Sequence, residues 1–197
     1  MLLFNFYLIN MLSAVILLTI KEFTKALISS QLGDPLPKRD RRITLNPLAH
    51  LEVIGLILIT VTGAFGWGKP VETGNIYYKD RRKGVLLTSL VPMFVMLVIS
   101  VLAFNLASFF QGWTMQFLFQ LGHVGAGLFV WNFVPIHPLE GARFLTLFMP
   151  PNKVVGLANM EKMLLILLVL IMFMLPNNPI TMIPGFIGSW ILYMLWI

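Results

Sequence analysis

Leu17-Leu18-Thr19-Ile20-Lys21-Glu22-Phe23-Thr24-Lys25-Ala26-Leu27-Ile28 sets three charged side chains inside the long apolar run that opens the chain. That run, from about Leu3 to Ile28, exceeds the roughly 20 residues a bilayer needs, so it reads as a membrane span. Charge at such depth is expensive and marks a site where counter-charge, water or chemistry is at hand. On a helix, Lys21 and Lys25 stand one turn apart and share a face, with Glu22 beside them.

Composition places the whole chain in the same setting. Of its 197 residues, 58% are hydrophobic and 11% are charged, against roughly 25% charged in a soluble domain. Mean hydropathy is +0.86. Removing the apolar runs leaves no soluble domain of useful size, so the bilayer is the first partner. The net charge of +6 does not point to nucleic acid. The basic residues sit in loops beside apolar runs, as orientation signals do. Cysteine is missing from the sequence, which excludes disulfides and thiolate ligands. The first residues lack a basic stretch and a small-residue cleavage site, so the opening run is expected to stay as a span.

Outward from the charged stretch, Gly33-Asp34-Pro35 stops the first helix. The basic loop Lys38-Arg39-Asp40-Arg41-Arg42 follows, then Ile43-Thr44-Leu45 as a candidate short strand and Asn46-Pro47 as a turn. His50-Leu51-Glu52 opens a short apolar run to about Phe65, closed by Gly66-Trp67-Gly68-Lys69-Pro70. A second basic loop holds Lys79, Arg81, Arg82 and Lys83. The two loops conflict. Both should lie on the cytoplasmic side, yet one crossing between them would separate them. Either the positive-inside rule fails for one loop, or the segment dips in or sits shallowly and returns. The second reading is favoured, since irregular backbone is tolerated at depth where protein covers it.

Val85 to Leu106 is the next span, with Pro92 expected to kink it. Met115 to Phe133 follows, with Gly122, Gly125 and Gly127 suited to close helix contact. Pro135 to Gly141 breaks the pattern. Met163 to Leu175 and Ile180 to Ile197 are the last apolar runs, parted by Pro176-Asn177-Asn178-Pro179. The expected fold is an all-α integral membrane protein, one domain over residues 1–197. It would have five to six transmembrane helices and a short re-entrant or strand-containing segment after the first span. Trp67, Trp113, Trp131, Trp190 and Trp196 are expected at the lipid–water boundary, and Arg143 either with them, the favoured reading, or paired with Glu140. His123 reads as a packed residue of an apolar helix.

Lys21-Glu22-x-x-Lys25 has the spacing of a His-Glu-x-x-His zinc helix, with lysine at both histidine positions. Three further stretches follow in order: Leu45-Asn46-Pro47-Leu48-Ala49-His50-Leu51-Glu52, Phe65-Gly66-Trp67-Gly68-Lys69-Pro70-Val71, and Asn132-Phe133-Val134-Pro135-Ile136-His137-Pro138-Leu139-Glu140-Gly141-Ala142-Arg143. Together they resemble the site-2 protease family, the intramembrane zinc metallopeptidases, in a minimal form without a PDZ domain. The match covers about residues 15–145, within a site-2-protease-like core of about residues 3–145, with additional C-terminal spans at about 163–197. It implies that Glu22 stands at the general-base position. It implies that Lys21, Lys25 and Glu140 stand where the family has its two His and one Asp zinc ligands. Asn46, His50, Asn132 and His137 fall at groove or supporting positions. Where the family has Gly-Pro-x-x-Asn, this chain has Val91-Pro92-Met93-Phe94-Val95. Where it has Asp then Pro after the second motif's histidine, this chain has Glu52 and Val53.

An ammonium group has no lone pair and repels a dication, so two lysines cannot replace two imidazoles as ligands. Without metal, Glu22 has no activated water to deliver. One expectation is that the two ammonium groups stand in for zinc, bridged by Glu140 and Glu22; the other is that the lysines lie near the interface and snorkel to water. Function then reads as a pseudoprotease that binds or regulates transmembrane helices, with a helix substrate or an active homologue as partner, and no cofactor. One alternative is an active zinc protease with its metal moved to Glu22, His50, His137 and Glu140, with His123 nearby. Another is a small transporter using the buried charges as a relay.

Overall fold

The structure is a computed structural model that describes residues 2–174 and 179–196. Every regular element among the described residues is helical. The long apolar run forms α1, Leu2–Gln31, roughly 45 Å of helix. It is followed by α2 (Leu36–Arg39), α3 (Val53–Thr62) and α4 (Arg81–Leu106). Then come α5 (Gly112–Trp131), α6 (Glu140–Leu145), α7 (Pro151–Met174) and α8 (Pro179–Met194). Among the described residues, three helices are long and apolar enough to cross a membrane: Leu3–Gln31, Arg81–Phe109 and Lys153–Ile171. Val53–Thr62 and Gly185–Met194 are shorter apolar helices. The break expected at Pro176-Asn177-Asn178 lies outside the described residues.

The core is where α1, α4 and α5 meet. Ala14, Leu17 and Leu18 of α1 pack with Ile59 of α3, Met93 and Met96 of α4, and Val124 and Leu128 of α5. Close approach of α4 and α5 depends on a missing side chain: a Cβ on Gly125 would overlap the Ser100 hydroxyl. The outer faces are apolar as well. Leu87, Phe94, Val98 and Leu102 form an exposed stripe on α4, and Val53, Ile54, Ile57 and Val61 do the same on α3. An apolar outside around an apolar inside is what a helix bundle in lipid requires.

The segment between α1 and α4 runs out and back along α1. It leaves beside Asp34, and α3 carries it toward the N-terminal half of α1, where Asn10 Nδ2 donates to the Thr60 carbonyl at 3.1 Å. Gly63, at φ 72°, ends α3. Extended chain then returns. Lys69 N donates to the His50 carbonyl at 2.8 Å, Val71 N to Glu22 Oε2 at 3.0 Å, and Gly74 N to Asp34 Oδ2 at 2.7 Å. The excursion thus covers roughly 30 Å of α1, counted at ~1.5 Å per residue. Its two ends close at the same level, and Ser29 meets Tyr78 there at 2.7 Å. The loops at 38–42 and 79–83 therefore sit at one end of the bundle.

Two sequence expectations need correction. Ile43-Thr44-Leu45 is not a strand. Its polar groups serve local turns instead, with the Thr44 carbonyl on the His50 ring and the Thr44 hydroxyl accepting from Asn46 N. Trp131 and Trp67 are core residues, 1% and 8% exposed. Their rings pack edge-on against Phe65 at 4.5 and 5.8 Å. Trp113, Trp190 and Trp196 are exposed.

Candidate functional site

Alpha-helical spacing puts Lys21, Glu22 and Lys25 on the inner side of α1, where all three are buried. Glu140 opens α6 and is buried with them. Lys25 Nζ donates to Glu140 Oε1 at 2.7 Å. Lys21 Nζ donates to Glu22 Oε1 at 2.9 Å and lies 3.5 Å from Glu140 Oε1. The second Glu22 oxygen accepts from Val71 N. Two cations and two carboxylates therefore close on one another away from water. An ion left alone there would cost several kcal/mol in desolvation, which pairing offsets.

The surrounding chain is shaped to hold this cluster. The returning segment presses against it at Gly68, where a Cβ would lie 2.7 Å from the His50 carbonyl and 3.4 Å from Glu22 Cγ. Only glycine permits the Val71 amide to reach Glu22 from that track. The loop carrying Glu140 is pinned by Gly141 N donating to the Asn132 carbonyl at 2.7 Å. Asn132 is itself buried and donates from Nδ2 to the Leu128 carbonyl at 2.7 Å.

The other candidate residues scatter. Asn46 is exposed and caps a turn, accepting from Leu48 N at 3.1 Å. His137 has a side chain 55% exposed and stands 3.9 Å from Glu161. His123 packs on Phe119 and Phe104. The four-residue set Glu22, His50, His137 and Glu140 is thus not gathered. Among the described residues, no three His, Cys, Asp or Glu side chains are placed to share a metal ion. The cluster does not fit zinc either, because its two nitrogen groups are ammonium donors and three of its four carboxylate oxygens are already engaged.

Sequence reasoning missed a second polar network beside the first. Arg143 was expected at the water boundary, but its Nη2 donates to Asn75 Oδ1 at 2.8 Å and to the Tyr78 hydroxyl at 3.4 Å. Tyr78 then donates to Ser29, and Ser29 to Asp34 Oδ2 at 2.7 Å. Asp34 is 1% exposed. An Asp between a helix-ending Gly and a Pro signals an Asx turn, which accounts for its bond to Leu36 N at 3.0 Å. Nothing local signals Gly74 or Tyr78.

His50 is fully buried, with Nε2 2.7 Å from the Thr44 carbonyl. Burial pushes its pKa below the ordinary histidine value, and nearby Arg42 pushes the same way, against the Thr44 bond. The unfolded chain therefore binds the proton first as pH falls. The His50 contribution to stability is intact above pH about 6.5 and is lost progressively below it. A melting temperature that drops from pH 7 to 5 in the wild type, and drops less in His50→Gln, is the expected result.

No protein-family model matches the chain, and no solved structure matches it. The chain is 29% identical over 152 residues to the "Putative zinc metalloprotease YwhC" of Bacillus subtilis (strain 168), covering 72% of this chain and 69% of that protein. It is similar to a protein with a zinc metalloprotease name, while its own buried cluster pairs two lysines with two glutamates.

Proposed function

We infer that this chain is a site-2-protease-like, multi-pass protein of the cell membrane that binds or regulates transmembrane helices without cutting them. The observation that carries the reading is the pair of ammonium groups, Lys21 and Lys25, on the carboxylates of Glu22 and Glu140. This fills with fixed positive charge the place where the resemblance would put a dication. Glu22 cannot then act as a base toward a metal-bound water. On this reading the out-and-back segment after α1 is re-entrant, both basic loops face one side, and the bundle has five to six spans. Its partners are the lipid bilayer and a transmembrane helix, supplied by a substrate or by an active homologue.

The test uses the full-length protein in detergent. Wild type is expected to carry far less than one zinc per chain and to leave a transmembrane-helix substrate whole. Lys21→His, Lys25→His and Glu140→Asp together restore a His-Glu-x-x-His and carboxylate set. That variant is expected to bind about one zinc per chain by elemental analysis, whether or not it cleaves. Cleavage by wild type, abolished by chelator, would establish the zinc-protease reading that the Bacillus relative's name favours.

A further inference from the structure

The end of the bundle where α1 stops carries an open bay of about 980 Å³, a size at the upper end of small-molecule sites. Lys38, Arg41, Arg42 and Lys69 line it, against one acid, Asp40. Asp40 is already held by Arg39 Nε at 3.0 Å. The lining of the bay therefore carries a net excess of positive charge.

Arg42 makes it more than a solvated loop. The residue is only 9% exposed. Nη1 and Nη2 donate to the carbonyls of Pro70 and Lys69 at 3.2 and 2.5 Å, and Nε has no protein partner. The direct partners of the guanidinium are two neutral carbonyls, with the carboxylates of Glu22, Asp40 and Glu72 acting on it only through space, so it has no direct ion pair at the wall of the bay. Leu48, also in the lining, is 84% exposed, and neighbouring Leu45 is 61% exposed. Bare leucines beside a cationic bay at the end of a membrane helix match a ligand with an anionic head and an apolar tail.

We propose that this bay binds the phosphoryl headgroup of an anionic phospholipid, with Leu45 and Leu48 in contact with its acyl chains. None of the four quartet residues lines the bay, and the proposal does not depend on the function inferred above. A phosphate ester presents several oxygens to several donors at once, which suits separate lysines and arginines on one wall. Phosphatidylcholine, with its own cation, neutralises the attraction. Free phosphate offers the same oxygens but nothing for the leucines.

The experiment uses the detergent-purified full chain with phosphatidylglycerol, phosphatidylcholine or inorganic phosphate added at equal concentration, read by native mass spectrometry. Wild type is expected to retain phosphatidylglycerol over phosphatidylcholine by about tenfold, the scale that a few basic side chains give near a membrane. K38Q/R41Q/K69Q is expected to fall to about twofold or less, and the exposed single change Lys38→Gln to lose about threefold. K38R/K69R keeps the preference, as does K79Q/R82Q/K83Q, which removes three charges from the other loop. Equal loss in the two triple variants would overturn the proposal in favour of diffuse charge. Displacement of the lipid by equimolar inorganic phosphate would overturn it in favour of a free-anion site. Equal retention of the two lipids by wild type would also overturn it.

Discussion

Glu140→Gln is expected to lower the unfolding free energy by about 3–5 kcal/mol, the usual cost of breaking a buried ion pair from one side. The amide is the same shape as the carboxylate and can still accept from Lys25. What it cannot do is balance charge. Glu140 Oε1 lies 2.7 Å from Lys25 Nζ and 3.5 Å from Lys21 Nζ, so its neutralisation leaves the cluster with one uncompensated cation away from water. Lys25 is 4% exposed, too buried for its ammonium to reach solvent from this position. A paired change separates charge from shape. Lys25→Met with Glu140→Leu removes one cation and one anion and leaves Lys21 with Glu22, so most of the lost stability is expected to return. Denaturant titration in detergent, read by the loss of helical signal, measures both. A Glu140→Gln protein as stable as wild type would show that these ions are solvated, and the idea of a charge cluster in the metal's place would fall with it.

The two halves of that cluster differ in how legible they are. Lys21, Glu22 and Lys25 declare themselves, because charge in an apolar run and i,i+4 spacing are both local facts. Glu140 is 115 residues from Lys25 and follows a loop of prolines. Only the resemblance tied it to α1. The same division runs through the fold. The residues of α1 and α4 are apolar over lengths that only membrane helices or deep cores need, and they form such helices. Trp67 and Trp131 were misread because composition cannot tell a tryptophan at a boundary from one packed on Phe65. The short strand at residues 43–45 failed because β-branched side chains without a neighbouring strand have no ladder to join. The conflict between the two basic loops was legible, and so was a dipping segment as one way out of it. The bonds that hold the two ends of that segment together were not, because they converge on Asp34, a residue that local pattern marks only as a turn.

Asp34→Ala is therefore the second large effect, expected at about 4 kcal/mol from the loss of hydrogen bonds to a charged acceptor. Asp34 Oδ1 accepts from Leu36 N at 3.0 Å, and Oδ2 accepts from Ser29 and Gly74, each at 2.7 Å. These bonds join the end of α1, the turn into α2 and the chain entering α4. Alanine leaves a buried Ser29 hydroxyl and a backbone N–H without their acceptor, and it releases the donor chain that runs from Arg143 through Tyr78. Asn keeps one oxygen, so it can serve either Leu36 or the Ser29–Gly74 pair, and about half the loss is expected. The consequence is positional as well as energetic. Without the clamp, residues 72–80 detach from α1, and trypsin is expected to cut at Lys79, Arg81 and Arg82 faster than in wild type while the core around Leu17 and Met96 stays folded. If Asp34→Ala melts like wild type and its digestion pattern does not change, the closure of the excursion must come from its other contacts, such as Val71 N on Glu22 and Lys69 N on the His50 carbonyl, and Asp34 is only a turn residue.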